Sequence, residues 1–511
     1  MVVWSTVFRN VLSNWTSYLV TAVVGFLLAP FILHQLGNTG YGLWTLVLSL
    51  TGYFGLLDLG VRSSVGRFVA RHVTLGETEE VNRIVSTAVV VLGAAGALAF
   101  GATLIAVRYF FGSFHVGPQY ESAARVAMVI TGLNMGIVLP MGVFSSVLIA
   151  LERYDVLSGI AVVSELCRAA LVVFCLRSGY GIIGLGVVAL IVTLGGYSAM
   201  LLFARKLYGA LRIRLGYLNR ITVRRLFGFG IYRFVWIVAN QLIFYSDSLV
   251  IGVFLGASSV PPFAIAGTLI NYGRNIASLV ADTLYPAAAR LDAMQDLEGL
   301  QRLFITGTRL MLLIALLLCL GFVFLGRQFI ILWMGPEYAG SSVILMVLVI
   351  AQVGAIAQYA STLILSAMAR HQALAYIALG EGVANLILSI VLVKRIGLIG
   401  AAWGTVIPDV ICTAIVIPVY VLRVLDLSLR DYLVDGCLRP LAAAIPVAGL
   451  AFLVARNAER VTWGRLGSEV AVICGVFGLI AFFVCLDGPQ RSALATRVFS
   501  YLHREPTVNE V

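Results

Sequence analysis

The chain has 511 residues, of which 60% are apolar and 12% are charged, and its mean hydropathy is +1.00. These values lie far outside the range of soluble domains and predict a protein that crosses a membrane many times. The net charge of +11 does not indicate nucleic-acid binding, because the basic residues lie in short segments between apolar runs, as the positive-inside rule predicts for a membrane protein.

Runs of about 20 apolar residues are long enough to span a bilayer, and the sequence contains fourteen such segments. The first follows Arg9 and lacks the small-residue cleavage pattern of a signal peptide, so we expect it to remain as a membrane-spanning helix. The sequence therefore predicts an all-α polytopic membrane protein. The predicted helices cover residues 12–36, 41–70, 83–111, 122–150, 156–177, 181–206, 227–256, 260–290, 303–326, 340–369, 373–393, 399–424, 438–455 and 468–486.

The distribution of basic residues predicts the orientation in the membrane. An even number of helices places both termini on one side, and most of the 35 Lys and Arg fall on that side. Basic loops mark the cytoplasmic face, so both termini are predicted to be cytoplasmic. The strongest contribution comes from the segment 205–225, which holds seven basic residues and no acid.

Three short motifs occur twice, and their two copies are the same distance apart to within three residues. The pairs are LG at 36–37 and 255–256, VGPQY at 116–120 and MGPEY at 334–338, and GIIG at 181–184 and GLIG at 397–400. Near-constant spacing through three loops predicts two pseudo-repeated lobes of six helices, inserted in the same direction, with a substrate path between them.

The repeat also predicts the domain organisation. The last two helices lie outside it, and the sequence leaves open whether they pack against the bundle, contact lipid or extend a groove. The predicted parts are an N-terminal lobe at 1–206, a basic cytoplasmic linker at 207–226, a C-terminal lobe at 227–424, two additional helices within 425–486 and a cytoplasmic tail at 487–511.

Charged residues inside the predicted helices are the strongest indication of function. Each costs about 2.5 to 3.5 kcal/mol near the bilayer centre, so the interior of the protein must pair these charges or hydrate them. The residues concerned are Asp58, Arg62, Glu165, Arg168, Arg233, Asp247, Arg274, Asp282, Glu381 and Asp409.

The seventh and eighth predicted helices each carry polar residues along one face. On the seventh, these residues recur every seven positions, and on the eighth they follow at helical spacing. Such faces suit the walls of a hydrated cavity, although a buried network that only fixes helix packing is the alternative. The residues are Arg233, Asn240 and Asp247 on the seventh helix and Asn271, Arg274, Asn275, Ser278 and Asp282 on the eighth.

Arg274 is the strongest single candidate for binding an anion. It lies near the middle of its predicted helix, and Asp282 is eight residues away, too far for an ion pair within one turn. A guanidinium group binds phosphate or carboxylate through two parallel hydrogen bonds. A salt bridge to Asp247 on the preceding helix is the structural alternative, and the sequence leaves both open.

Other intramembrane charges have an opposite charge one turn away. Asp58 and Arg62 are four residues apart and Glu165 and Arg168 are three apart, so each pair can neutralise itself within one helix. Glu381 occupies in the second repeat the position that Glu165 has in the first. The candidates for charge pairing or for binding a coupling proton or sodium ion are Asp58, Asp247, Asp282, Glu165 and Glu381.

Motifs for catalysis and metal binding are absent from the sequence. It contains no P-loop, no nucleophile elbow and no metal-ligand spacing, and its extramembrane loops are short. We therefore predict no catalytic residue, no metal site and no cofactor, and a transporter rather than an enzyme. The seven cysteines lie in or beside apolar runs without CxxC spacing, which is typical of small buried apolar residues.

Three segments resemble the polysaccharide transporters of the multidrug/oligosaccharidyl-lipid/polysaccharide superfamily, which includes O-antigen flippases. They are NVLSNWTSYLVTAVVGFLLAPFILHQLGNTGYGLW at 10–44, LLDLGVRSSVGRFVA at 56–70 and LVIGVFLG at 249–256. The resemblance covers about residues 8–424, and the last two helices match the longer members of the family in number only. The first predicted helix carries no arginine, unlike some lipid II flippases, which argues against lipid II as the substrate.

The resemblance implies a MATE-like fold of two lobes that open alternately to the two sides of a bacterial inner membrane. It implies transport of an undecaprenyl-diphosphate-linked oligosaccharide from the cytoplasmic to the periplasmic leaflet, for O-antigen, exopolysaccharide or capsule synthesis. The first, second, seventh and eighth helices would line the cavity, in agreement with the polar faces described above. The predicted substrate-binding residues are Arg274, Arg233, Arg62, Asn271 and Asn240.

The partners implied are the lipid-linked oligosaccharide, membrane lipid, and the polymerase and chain-length proteins of polysaccharide assembly. Two alternatives remain open: a cation-coupled multidrug exporter of the same fold, and a membrane subunit or enzyme of polysaccharide assembly that transports nothing. Arginines at several depths favour an anionic substrate over a drug cation. The short loops disfavour a polymerase, which needs sizeable external loops.

Overall fold

The computed structural model describes residues 2–109, 118–456, 461–485 and 491–492. Every regular element in these ranges is helical, which confirms the all-α prediction. Helices satisfy their own backbone polar groups, as a membrane interior requires. The α-helices are α1 (Val2–Tyr53), α2 (Val61–Thr74), α3 (Thr78–Tyr109), α4 (Pro118–Ala150), α5 (Tyr154–Arg177), α6 (Gly181–Leu207), α7 (Arg220–Leu255), α8 (Val260–Ala281), α9 (Tyr285–Ala293), α10 (Leu297–Met334), α11 (Ser341–Ala357), α12 (Tyr359–Ala367), α13 (His371–Ile396), α14 (Leu398–Ile411), α15 (Ile417–Val424), α16 (Leu429–Asp431), α17 (Arg439–Arg456) and α18 (Trp463–Val484).

Twelve helical stretches in the described residues are long and apolar enough to span a membrane, so the predicted count of fourteen is not confirmed. The two counts differ at two places. The first two predicted helices lie in one stretch, Trp15–Asp58, and α8, the eighth predicted helix, is not among the twelve. Polar residues such as Arg274 lower the mean hydropathy of α8.

The stretch Trp15–Asp58 has 44 residues, about twice the length that crosses a bilayer once at 1.5 Å per residue. Gly37 interrupts α1 within this stretch, because its φ of 67° and ψ of 176° are not helical. Glycine adopts a positive φ without steric strain. The interruption falls between the first two predicted helices, 12–36 and 41–70.

The second predicted helix, 41–70, is not continuous. A 3₁₀ turn at Phe54–Asp58 follows α1, and Leu59 and Gly60 then adopt positive φ values of 48° and 75° before α2 begins. Two consecutive left-handed residues end the helical path. The prediction that Asp58 and Arg62 share one helix is therefore wrong, since Asp58 precedes this break and Arg62 follows it.

Two other predicted helices are also divided. The eighth, predicted at 260–290, ends as α8, and a 3₁₀ turn containing Asp282 joins it to α9. The tenth, predicted at 340–369, is divided between α11 and α12 at Gln358. The side-chain amide of Gln358 donates to the Thr413 carbonyl at 2.9 Å, and Thr413 lies in the π-helical turn Cys412–Val416.

The linker between α6 and α7 is shorter than predicted. The seventh predicted helix begins at 227, whereas α7 begins at Arg220, capped by the Asn219 side chain, which accepts from the Ile221 backbone N–H at 2.9 Å. An asparagine at this position satisfies a helix N–H that has no intrahelical partner. The predicted tail 487–511 lies outside the described residues except for positions 491–492.

The chain forms two compact units. Unit 1 comprises Met1–Ile265 and Ala375–Pro408, and unit 2 comprises Ala266–Leu374 and Asp409–Val511. The predicted six-helix lobes, 1–206 and 227–424, remain a prediction.

The core of unit 1 lies where α2, α3 and α4 meet. Val61, Val65 and Val69 recur every four residues along α2 and are fully buried in this core. The helices α3 and α4 approach closely at Gly96, where an added Cβ atom would lie 2.2 Å from the carbonyl oxygen of Gly136. Small residues at such crossings let backbones pack tightly, which stabilises helix pairs in lipid.

The last two long helices, α17 and α18, pack against α10 in unit 2. Leu312 and Leu316 of α10 share a buried cluster with Val447 of α17 and Ile473 of α18. The two helices are therefore part of the packed bundle of unit 2, which is one of the three possibilities that the sequence left open. A narrow apolar groove also runs between α10 and α18.

Candidate functional site

Asp58 and Arg62 form an ion pair across the break between the 3₁₀ turn and α2. The Arg62 Nε atom donates to Asp58 Oδ1 at 2.8 Å, and the Asp58 side chain is 9% exposed against 31% for Arg62. Arg62 passes over Gly142 of α4, where an added Cβ atom would lie 2.7 Å from its Cδ and Nη1 atoms. The arginine is therefore held in place from two sides.

We expect the two charges to stabilise the fold only as a pair. Arg62→Gln leaves the buried Asp58 carboxylate without its partner, which should cost about 2 kcal/mol and lower the midpoint of thermal unfolding. Adding Asp58→Asn removes the unpaired charge and should restore most of the loss. Thermal unfolding of the two single variants and the double variant measures this coupling, and a double variant as unstable as Arg62→Gln alone would contradict it.

Glu165 and Arg168 also form a pair, on α5. The Arg168 Nε atom donates to Glu165 Oε2 at 2.9 Å, and its Nη2 atom donates to the other carboxylate oxygen. Both carboxylate oxygens are thus engaged in a bidentate pair. Glu381, its counterpart in the repeat, is half-buried on α13.

Asp247 is the most enclosed acid in unit 1, with 3% exposure. The Ser389 hydroxyl on α13 donates to its Oδ1 atom at 2.7 Å, and the Thr405 hydroxyl on α14 donates to its Oδ2 atom at 2.5 Å. Asn385, one turn before Ser389, lies beside the carboxylate. No basic residue in the described part of the chain forms an ion pair with Asp247.

Glycines bring the three helices of this acid site together. At Gly382 an added Cβ atom would lie 3.0 Å from Leu242 Cβ, so α13 approaches α7 closely. At Gly404 it would lie 2.3 Å from the Ser389 hydroxyl, so α14 approaches α13 even more closely. Both glycines therefore position the hydroxyl groups around Asp247.

The other members of the predicted stripe on the seventh helix are placed differently. The Asn240 side-chain amide donates to the Trp236 carbonyl one turn earlier at 2.8 Å, so this amide has a hydrogen-bond partner within its own helix. The Arg233 backbone is helical, but its side chain lies outside the described residues. The Ser246 hydroxyl, next to Asp247, donates to Asn385 Oδ1 at 3.2 Å.

The face of α8 that carries Asn271 and Asn275 is exposed, with Ser278 one turn further on. The opposite face packs on α10, where Ala277 and Ala281 are buried with Met311. Exposed amides need hydrogen-bond partners that lipid cannot supply. This part of α8 therefore carries an exposed polar face.

Arg274 lies at the border between the polar face and the packed face of α8 and is half-buried. Asp409 of the same unit is 6% exposed and lies close enough to interact electrostatically with Arg274. Asp282, which the sequence places on the same helix, is exposed on the turn that follows α8. Asp409 thus places a negative charge near the Arg274 guanidinium.

Sequence reasoning missed Arg309, although it lies inside the predicted helix 303–326. It is 7% exposed, and it donates from Nε to the Asp435 carbonyl at 2.9 Å and from Nη1 to the Cys485 carbonyl at 2.8 Å. Asp435 lies in a π-helical turn and Cys485 ends α18, where carbonyls lack intrahelical partners. Arg309 thus fastens α17 and α18 to α10, and the same rule for charges in membrane helices would have identified it.

Within the described ranges no group of three His, Cys, Asp or Glu residues lies close enough to hold a metal ion.

The fold and these buried polar groups define a multi-pass helical membrane protein. The solved structure of a multidrug resistance MATE family transporter in its inward-facing conformation matches with a TM-score of 0.68 at 15% identity, covering 80% of this chain and 94% of that one. The lipid II flippase MurJ, in an inward closed conformation, matches with a TM-score of 0.69 at 11% identity, covering 96% and 99%. At these identities the likeness establishes a shared fold, and it confirms the MATE-like prediction.

The family follows from the sequence comparison. The model described as "Polysaccharide biosynthesis protein" matches residues 7–292, more than half of the chain. The chain belongs to this polysaccharide biosynthesis family, which confirms the family resemblance seen in residues 10–44, 56–70 and 249–256.

Two curated relatives extend the comparison along the chain. The membrane protein EpsK of Bacillus subtilis (strain 168) is 24% identical over 504 residues, covering 96% of this chain and 97% of EpsK. A putative O-antigen transporter of Shigella flexneri is 23% identical over 415 residues, covering 78% of this chain and 93% of the relative. The likeness to EpsK therefore includes α17 and α18, the two long helices outside the repeat.

Proposed function

We propose that the protein is a flippase for lipid-linked oligosaccharides. It moves undecaprenyl-diphosphate-linked repeat units from the cytoplasmic to the periplasmic leaflet of the inner membrane, for the synthesis of O-antigen, exopolysaccharide or capsule. The observation that carries the proposal is the exposed polar face of α8, bordered by Arg274, in a chain of the polysaccharide biosynthesis family. The name of the Shigella flexneri relative, an O-antigen transporter, supports the same substrate class.

The substrate has a diphosphate and several sugars, which the hydrocarbon core excludes because they would lose their hydrogen bonds to water. A hydrated surface with cationic groups lowers this free-energy barrier, while the polyprenyl chain stays in lipid. In the proposed cycle the two repeated lobes, 1–206 and 227–424, open alternately to each side.

Each site residue has a role in this proposal. The guanidinium groups bind the diphosphate through charge-assisted hydrogen bonds, and the amides bind sugar hydroxyl groups. Arg62 ranks below Arg274, because the Asp58 carboxylate already accepts from it at 2.8 Å. The proposed anion-binding residues are Arg274, Arg233 and Arg62, and the proposed sugar-binding residues are Asn271 and Asn240.

Transport against a gradient needs an energy source, and we assign the coupling site to Asp247. Its surroundings supply oxygen atoms from the carboxylate, the Ser389 and Thr405 hydroxyls and the Ala401 carbonyl, which Thr405 also approaches at 3.1 Å, and the Asn385 amide lies beside them. Such a set suits a proton or a hard cation such as sodium. Asp58 and Glu165 are engaged in ion pairs, so they rank below Asp247, and Glu381 and Asp282 rank below it because they are less buried.

The proposed orientation has both termini in the cytoplasm, because most basic residues lie on that side. The polymerase and the chain-length proteins of polysaccharide assembly are proposed partners, since they use the product on the periplasmic side.

A leaflet assay after depletion tests the proposal. Cells depleted of the protein should accumulate undecaprenyl-linked glycan in the cytoplasmic leaflet, where a membrane-impermeant lectin added from outside cannot reach it. Re-expression should restore access. Hypersensitivity to drugs together with an unchanged glycan distribution would instead support a multidrug exporter, and loss of the lipid-linked glycan itself would support an enzyme of its assembly.

A further inference from the structure

The segment that joins the candidate membrane spans of α6 and α7 carries a dense positive charge. All seven basic side chains of 205–225 are exposed, the segment holds no acid, and none of the seven takes part in an ion pair among the described residues. Seven like charges in so short a segment repel one another and need an external anion. The residues are Arg205, Lys206, Arg212, Arg214, Arg220, Arg224 and Arg225.

Hydrogen bonds hold the segment 205–225 against α3. The Asn82 amide donates to the Ala210 carbonyl at 3.0 Å and accepts from the Arg212 backbone N–H at 2.8 Å, so it binds the chain on both sides of Leu211. The Ser86 hydroxyl accepts from the Arg214 backbone N–H at 3.2 Å. The backbone that carries the arginines is therefore held in one position.

The fastened segment has one buried side and one exposed side. Leu211 is 7% exposed and belongs to the core of unit 1, and Ile213 packs against the same core. Arg212 and Arg214 alternate with them and are exposed, as in any extended chain, where successive side chains point in opposite directions.

Exposed apolar side chains lie among these cations. Leu215 is 79% exposed, Leu218 52% and Ile221 62%. They follow the end of α6 and surround the start of α7, so the covalent structure keeps them near the membrane surface. A mixture of arginine and exposed leucine at this depth is typical of segments that lie in the interface between lipid headgroups and acyl chains.

We propose that the linker, residues 205–225, is a binding surface for anionic phospholipids such as phosphatidylglycerol. The arginines bind lipid phosphates, for which guanidinium geometry is well suited, and Leu215, Leu218 and Ile221 enter the acyl boundary. A lipid fits better than an acidic protein, because the apolar side chains then leave water in the same event. Because Asn82 fixes the arginines to α3, lipid binding stabilises unit 1.

Thermal unfolding of the purified full-length protein in detergent tests the proposal. Phosphatidylglycerol should raise the midpoint by about 3 °C or more, and phosphatidylcholine at the same mole fraction should not. The variant Arg212→Gln/Arg214→Gln/Arg224→Gln/Arg225→Gln should lose this difference. High salt should also remove it, because exposed charges are screened.

Two further variants keep the test specific. Arg290→Gln/Arg302→Gln/Arg423→Gln/Arg430→Gln removes four exposed arginines outside the linker and should keep the full response to phosphatidylglycerol. Asn82→Ala keeps every charge but releases the backbone between Ala210 and Arg212, and it should reduce the shift to less than half. If the linker variant fails to fold, Arg212→Gln/Arg214→Gln replaces it.

Three outcomes would overturn the proposal. Equal stabilisation by both lipids, in folded wild-type protein, would exclude an anionic lipid and direct the search to an acidic protein partner. Equal stabilisation by soluble pyrophosphate would show a site for free phosphate groups. A linker variant that responds like wild type would place the lipid elsewhere. None of these measurements involves glycan transport, so the result does not depend on the proposed flippase activity.

Discussion

Arg274→Ala is expected to abolish export of the lipid-linked glycan while the amount of protein in the membrane stays normal. The guanidinium lies at the edge of the exposed polar face of α8, and in the proposed function it binds the diphosphate through charge-assisted hydrogen bonds. Hydrogen bonds to a charged group contribute about 1.5 to 3 kcal/mol, so the loss corresponds to roughly 10- to 100-fold in transport at limiting substrate. Lectin labelling of surface glycan, normalised to protein amount, measures it.

Two variants control this experiment. Arg274→Lys keeps the charge but loses the bidentate geometry, and its export should lie between wild type and Arg274→Ala. Arg290→Ala removes an exposed arginine from α9 of the same unit and should export normally. Normal export by Arg274→Ala, at normal protein levels, would remove Arg274 from the substrate site and leave it as the partner of Asp409.

Asp247→Asn should uncouple transport from its driving ion. Asparagine has nearly the same shape and keeps hydrogen bonds to Ser389 and Thr405, but it cannot take up a proton or neutralise a sodium ion. We expect net export to fall more than about tenfold, with little loss of stability. Transport into vesicles under an imposed proton or sodium gradient should show stimulation for wild type and none for the variant.

The hydroxyl groups around Asp247 provide a graded test of the same site. Ser389→Ala and Thr405→Val each remove one ligand and leave the carboxylate, so each should weaken the response to the ion without abolishing it. Glu165→Gln/Arg168→Gln is the matched control, because it removes a carboxylate that already has a cationic partner. Full ion stimulation in Asp247→Asn would refute the assignment of Asp247.

Together these two experiments separate the two functions that the proposal assigns to different units. Arg274 belongs to unit 2 and Asp247 belongs to unit 1. Loss of Arg274 should weaken binding of the substrate but keep ion binding, and loss of Asp247 should have the opposite effect. A polysaccharide transporter that uses an ion gradient needs both.

The apolar composition predicted the class of protein, and the positions of the apolar runs predicted nearly every candidate membrane span, because about 20 consecutive apolar residues are long enough to cross a bilayer. The exceptions are instructive. The second predicted helix is broken at Leu59 and Gly60, which have positive φ values. The pattern of apolar residues in the sequence does not indicate such a break. The merging of the first two spans around Gly37 and the polar α8 explain why the count of fourteen was not confirmed.

The same criterion of charge within apolar runs selected Asp247 and Arg274 from the sequence, but it did not identify their neighbours. Ser389 and Thr405 are 142 and 158 residues away from Asp247, and no local pattern marks a serine or threonine in a membrane helix as the partner of an acid. The charge of Arg309 was visible in the sequence in the same way. Its partners could not be identified there, because they are backbone carbonyls, which every residue has.

The sequence by itself predicted an all-helical membrane protein of the polysaccharide biosynthesis family with arginines and acids inside its apolar helices. Hydropathy, charge and family motifs are properties of neighbouring residues, so they can be seen without a structure. Only the tertiary structure decided which charges have partners. It shows that Asp58 has Arg62, that Glu165 has Arg168, and that Asp247 has two hydroxyl groups. The free energy of a buried charge depends on the groups that fold around it, and these come from distant parts of the chain.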